Sequence, residues 1–198
     1  TFDSSGFQSV WLTVRDDTGE NTLAKTKGVR VYRPLHVNPA SPNPTIPYDS
    51  WGTAARRIQD AIAAAAPADV IWVTNGVYAT GSVRAGKSDD YSNNPASCLS
   101  RVALTNAVRV ESVNGPAWTR IVGARSADAG GFGSNSVRCV YLAAGAELAG
   151  FTLTNGFAGG AGPWGETTGN GGGAYLDRGG MISNCVVVAC AAIGDEGS

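Results

Sequence analysis

An all-β chain of stacked coils is what this sequence predicts, and three observations predict it. One phrase is written twice. Tyr141-Leu142, Gly145, Leu148, Gly150, Phe151 and Leu153 recur as Tyr175-Leu176, Gly179, Ile182, Asn184, Cys185 and Val187, at a constant offset of 34 residues. Self-similarity at such a period, built from short β-prone runs, belongs to repeats that stack on one another and not to a closed globule. Within the phrase, residues of one parity are apolar in both Phe151-Thr152-Leu153-Thr154 and Cys185-Val186-Val187-Val188, the period-two signature of a strand with a buried face. The 27 glycines among 198 residues supply the many tight corners that short strands need.

Superposing the two copies stacks Leu142 on Leu176, Leu148 on Ile182, Phe151 on Cys185 and Leu153 on Val187. Each large apolar side chain buried between successive turns contributes about 1.5–3 kcal/mol, so a repeat of this kind holds together by lying on its neighbour. The phrase extends upstream. Thr74-Asn75-Gly76, Val113-Asn114-Gly115 and Thr154-Asn155-Gly156 each close an alternating run, and Asn-Gly is a turn signal because both residues tolerate positive φ. Taking the three asparagines as equivalent places Ile71, Val110 and Phe151 in one inward column and Val73, Ser112 and Leu153 in the next. A hairpin is the other reading of the dipeptide; recurrence over a long period favours a coil corner.

Three further stretches carry a family resemblance. Val37-Asn38-Pro39-Ala40-Ser41, the helical segment with Ile58-Gln59-Asp60-Ala61-Ile62, and Val70-Ile71-Trp72-Val73-Thr74-Asn75-Gly76-Val77-Tyr78 together resemble the opening of right-handed parallel β-helix proteins of the pectin-lyase-like superfamily, in particular large bacterial surface and secreted proteins. Gly150-Phe151-Thr152-Leu153-Thr154-Asn155-Gly156 resembles one of their rungs. The resemblance covers residues 37–198 and implies the N-terminal coils of a right-handed parallel β-helix behind a capping α-helix, with a secreted or cell-surface location. It implies no reaction, because that superfamily contains lyases, hydrolases, adhesins and proteins without chemistry.

In chain order, residues 1–33 come first. Val10, Leu12 and Val14 alternate before the Asp16-Asp17 turn, and Val29 and Val31 alternate beyond it. They resemble the last strands of a PKD domain, an immunoglobulin-like β-sandwich, with Phe7-Gln8 where a Gly-x-Tyr is usual; the earlier strands would lie outside this sequence, as would further coils at the other end. Asp16 and Asp17 lack the additional carboxylates that a calcium loop requires and read as a solvated turn. Residues 34–49, with prolines at 34, 39, 42, 44 and 47, read as an extended linker. His36, the one histidine, sits in it without an accompanying acid or nucleophile motif.

Residues 50–198 are the expected capping helix and coils. Residues 50–66 predict the helix: Ser50 or Thr53 caps it, alanine favours it and Pro67 ends it. Trp51, Ala55, Ile58, Ile62 and Ala65 share its inner face, with Arg56, Arg57, Gln59 and Asp60 facing away. A helix there covers the open end of the coil and its unpaired strand edge. Residues 70–79 predict the first rung, with Ile71 and Val73 inward and Trp72 outward. The polar stretch 85–100, with Asp89-Asp90, predicts a projecting loop. Residues 102–113 and 118–123 continue the coil, 124–136 form a second loop, and the glycine-rich run 156–173 forms a third with Trp164 in it. Gly160-Ala161-Gly162-Pro163-Trp164-Gly165 matches G-x-G-x-x-G, but no helix follows to hold a pyrophosphate.

The functional classes narrow accordingly. A net charge of −1 argues against a nucleic-acid partner, which calls for a basic stripe, and no apolar run is long enough to span a membrane. Four cysteines without C-x-x-C spacing and a single histidine imply no metal, and no cofactor is expected. Cys185 occupies an inward column as a small buried thiol; Cys98 and Cys139 precede adjacent rungs, a pairing that spacing leaves open. In the superfamily that the chain resembles, lyases carry carboxylates for calcium and a basic residue on one outer β-face of the central coils, and hydrolases carry several aspartates there. Here Arg109 and Glu111, flanking inward Val110, are the outward charged pair, and ion pairing is their expected role. No catalytic residue is assigned. The expectation is a non-catalytic extracellular module acting as spacer, adhesin or glycan-contact surface, with Trp72 and Trp164 as ligand contacts and a polysaccharide or other surface glycan as partner. A polysaccharide lyase or glycoside hydrolase is the alternative, and a self-assembling structural module a third.

Overall fold

The computed structural model describes residues 6–16, 19–31, 34–85, 98–159 and 170–193. Strands β1 (Gly6–Asp16) and β2 (Gly19–Val31) pair antiparallel as a two-stranded sheet, with one irregularity between Val10 and Leu12. These are the strands that the alternation around the Asp16-Asp17 turn predicts.

From Pro34 the chain winds into a parallel β-solenoid of about four turns. The first sheet runs β3 (Pro34–Val37), β4 (Val70–Val73), β8 (Arg109–Ser112), β11 (Glu147–Ala149) and β15 (Met181–Ser183). The second runs β5 (Gly76–Tyr78), β9 (Thr119–Val122), β12 (Thr152–Thr154) and β16 (Val186–Val188). The third runs β6 (Val83–Arg84), β7 (Leu99–Leu104), β10 (Val137–Leu142) and β14 (Ala174–Leu176). A short fourth ladder joins β13 (Phe157–Ala158) to β17 (Ala191–Ala192). Among the described residues the solenoid strands pair in parallel, except β6 with β7 and a single antiparallel bridge from Ala124 to Val137.

The offset of 34 is the register of the last two coils: Tyr141 pairs with Tyr175, Leu142 with Leu176, Leu148 with Ile182 and Leu153 with Val187. Phe151 and Cys185 meet as read, the Phe151 N–H donating to Cys185 Sγ at 3.5 Å. The longest inward column is Leu35, Ile71, Val110, Leu148 and Ile182, one residue per coil, of which the first four are fully buried. Ile71 and Val73 point in and Trp72 points out, as alternation requires. The final coil is paired on one side only among the described residues, so Leu176, Met181, Val186, Val187 and Val188 are exposed and Cys185 is half-buried.

Four expectations are corrected. The asparagines are not all equivalent. Asn75 and Asn114 stack, with Asn114 Nδ2 donating to Asn75 Oδ1 at 2.7 Å, but the next residue in the Ile71–Val110 column is Leu148 and not Phe151. Asn155 closes a different corner, after β12, with φ 52°. The dipeptide reports a left-handed bend and not which corner of the coil bends. Six extra residues, 113–118, between β8 and β9 hide the true spacing; Ser112 Oγ donates to Thr119 Oγ1 at 2.6 Å across their base.

The helix is shorter than its composition suggests. Helix α1 spans Ile58–Ala64, and Arg57 before it is extended with no side-chain cap. The reason is competition from β3: Ala55 N–H donates to His36 O at 2.9 Å and Asn38 N–H to Ala55 O at 2.8 Å, which commits backbone groups that a longer helix would use. Ile58 and Ile62 are buried as expected, but Gln59 does not face away. Its amide accepts from Ala103 N at 2.8 Å and donates to Ala103 O at 3.3 Å. A side-chain amide thus takes the place of a missing strand against β7.

The Pro-rich stretch enters the solenoid at once, since β3 pairs with β4 from Pro34↔Val70 to Val37↔Val73. No disulfide joins any of the four cysteines. Cys98 Sγ lies 3.5 Å from Gly159 O and Cys139 Sγ 3.2 Å from Thr154 O, so those two thiols are directed to different carbonyls and not to each other.

Candidate functional site: an aromatic and ion-paired groove on the first sheet

Two outward columns run along the first sheet. One holds Val70, Arg109, Glu147 and Met181; the other holds His36, Trp72, Glu111 and Ala149. Neighbouring strands stand about 4.8 Å apart, which brings residues of adjacent coils within reach of one another. Arg109 Nε donates to Glu111 Oε2 at 2.9 Å along its own strand, and a terminal nitrogen of Arg109 donates to Glu147 Oε2 at 3.0 Å across to β11. The hydrogen bonds to Glu111 and then Glu147 raise the Arg109 pKa further, against a partial desolvation. The fork is a fixed cation held between two carboxylates.

Trp72 stands beside this triad, 41% exposed. His36 holds it: the imidazole lies edge-on to the Trp72 ring with centroids 5.6 Å apart, and edge-on to Trp51 at 4.3 Å. His36 itself is buried, and Nδ1 lies 3.2 Å from Tyr48 O. It is a packed spacer between two indoles. Pro34, Val70, Trp72, Val108, Arg109, Glu111, Gly145 and Glu147 line an open groove of about 510 Å³.

A flat apolar ring beside fixed donors and acceptors suits a ligand with one apolar face and an edge of hydroxyls. Glu111 and Glu147 converge on one guanidinium, unlike the two carboxyl groups that flank the scissile bond in most glycoside hydrolases. A second cleft, beside α1, is lined by Arg57, Asp60, Tyr78 and Arg101, and these groups are spent within the fold. Arg57 pairs with Asp60 at 3.1 Å, Tyr78 donates to Thr74 O at 3.1 Å and Arg101 Nε to Val122 O at 2.6 Å.

Of the contacts read from sequence, Trp72 lies in the groove; Trp164 and the Asp89-Asp90 pair lie outside the described residues. Arg109 and Glu111 form the outward pair expected of them. Sequence reasoning missed Glu147 and the roles of His36 and Trp51. Glu147 becomes visible only once the 38-residue offset from Arg109 is known, and a helix across 50–66 would carry Trp51 away from β3. Among the described residues no group of three or more His, Cys, Asp or Glu is placed to hold a metal ion, and no helix is long and apolar enough to cross a membrane. No protein-family model, curated protein or solved structure matches the chain.

Proposed function

We propose that this chain is a non-catalytic glycan-contact module, a right-handed parallel β-helix of the pectin-lyase-like kind that follows a PKD-like domain in a secreted or cell-surface protein. The observation that carries the reading is the exposed Trp72 ring beside Arg109, Glu111 and Glu147 on a parallel sheet. Such a surface is preorganised: the ring offers apolar area with few rotatable bonds, and the ion-paired triad offers oriented polar groups at no cost in ordering. A polysaccharide is the partner that this combination fits, with the apolar face of a pyranose over the indole and its hydroxyls toward Arg109 and Glu147.

Binding to an array of acidic and neutral polysaccharides, followed by calorimetry on the best ligand, tests this. Trp72→Ala is expected to weaken binding about tenfold or more, by analogy with other exposed aromatic anchors, with a cooperative melt confirming that the variant is folded. Absence of binding to every glycan, or equal binding by wild type and Trp72→Ala, overturns the assignment. Release of unsaturated or reducing ends from polygalacturonate or alginate by the wild-type chain would establish the lyase or hydrolase alternative instead.

A further inference from the structure

Two cysteines meet at one corner of the coil stack, where two glycines leave room for them. Cys139 lies in β10, and its neighbour one coil on is Gly173: Val140 N–H donates to Gly173 O at 3.1 Å, beside the Val140↔Ala174 pair. Cys190 immediately precedes β17, and its neighbour one coil back is Gly156, whose N–H donates to Cys190 Sγ at 3.4 Å. The four positions form a square with cysteines on one diagonal and glycines on the other. A Cβ placed at Gly156 would lie 2.8 Å from Cys139 Sγ, and a Cβ placed at Gly173 would lie 3.3 Å from Cys190 Sγ. Each sulfur occupies space that a side chain would fill. The two thiols are near enough across that space for each to shift the other's titration.

We propose that Cys139 and Cys190 are a disulfide-forming pair that fastens the last coil to the coil before it. This differs from the Cys98–Cys139 alternative that spacing left open, and it does not depend on the glycan reading. The oxidant is a small disulfide such as glutathione disulfide. The Cys190 thiolate attacks one of its sulfurs, the oxidant's S–S bond breaks and one glutathione thiolate leaves, giving a mixed disulfide on Cys190. Cys139 then loses its proton to solvent and its sulfur attacks Cys190 Sγ, expelling the second glutathione thiolate. Two protein thiols are oxidised by two electrons, and one glutathione disulfide is reduced to two glutathione thiols. The order follows from the environment. Cys190 is the more exposed, and the neighbouring Cys139 thiol, helped by the Gly156 N–H, lowers its pKa below the ordinary thiol value. The contact with Cys190 and burial hold Cys139 well above the ordinary thiol range, which suits the resolving thiol.

Equilibrating the reduced chain with reduced and oxidised glutathione, quenching with N-ethylmaleimide and mapping peptides without reduction tests the pair directly. A linked peptide joining Cys139 to Cys190, with maleimide on Cys98 and Cys185, is the expected result. The ring closed by this bond holds about 50 residues, so the oxidised wild type should melt about 5–10 °C above the reduced form. Cys190→Ser should abolish both the link and the difference. Maleimide on all four cysteines of the wild type, or any link other than Cys139 to Cys190, overturns the proposal. Because the mapping is read on the wild-type chain, a variant that folds poorly does not decide the result.

Discussion

Arg138 is the side chain least well served by its surroundings. It is 1% exposed, its three guanidinium nitrogens have no hydrogen-bond partner among the described residues, and it lies 5.0 Å over the Tyr175 ring. An unpaired buried charge costs several kcal/mol, against a cation–π gain of about 2 at most. Arg138→Met should therefore raise the free energy of unfolding by about 1–3 kcal/mol in urea titrations; a loss of stability would show that the charge is satisfied. Tyr78 makes the opposite kind of demand. Burial, partly offset by its bond to Thr74, pushes its phenol up to about 12 from an ordinary 10. The folded chain keeps that proton where the unfolded chain has released it, so the contribution is intact below pH 10 and declines as pH rises toward 12. Relative to Tyr78→Phe, the wild type should lose about 2–3 kcal/mol across that window, measured as the difference between their denaturation midpoints at each pH. At this scale the sequence is legible for parity and little more. It places Trp72 outward, but the burial of Arg138 and the wedging of His36 between two indoles depend on what neighbouring coils bring, which no local pattern contains.

Strands in this molecule derive their stability from position along a column and not from their own composition. Leu153 and Val187 are register partners in β12 and β16, yet Leu153 is fully buried and Val187 is 50% exposed. Leu153→Ala should cost about 2–5 kcal/mol and Val187→Ala less than about 1, as read from chemical denaturation of each variant. Equal costs would mean that the last coil is covered in solution. The repeat at 34 residues is readable because the stretches from β10 to β13 and from β14 to β17 keep one offset in every paired strand, so like residues fall at a fixed spacing. The upstream coils were misaligned because residues 113–118 lengthen one corner, and Asn155-Gly156 then imitates the corner at Asn114-Gly115. The helix is shorter than local propensity predicts for a related reason. Residues 50–57 favour helix locally, but Ala55 finds better partners on β3, and tertiary hydrogen bonds override propensity.

Across the whole molecule, a solenoid is stabilised by contacts between adjacent coils only, and its coils need not open together. Amide hydrogen exchange should be slowest in β8 and β11, flanked on both sides, and faster in β15 and β16, each paired on one side among the described residues. Uniform protection from β8 through β16 would contradict nearest-neighbour stacking. The groove on the first sheet was half legible for the same reason: Trp72, Arg109 and Glu111 belong to two successive coils and could be aligned, whereas Glu147 enters from a third. The corner at residues 113–118 carries a further implication. Two neighbouring coils keep the same strand register although one of them takes six more residues to turn that bend, with Ser112 and Thr119 clasped at its root. The faces are thus fixed lattices and the bend is a permissive splice point. Foreign peptide grafted there would be displayed at the rim of the coil without displacing a single residue of the groove, whereas one residue inserted into β8 would turn Arg109 or Glu111 inside out.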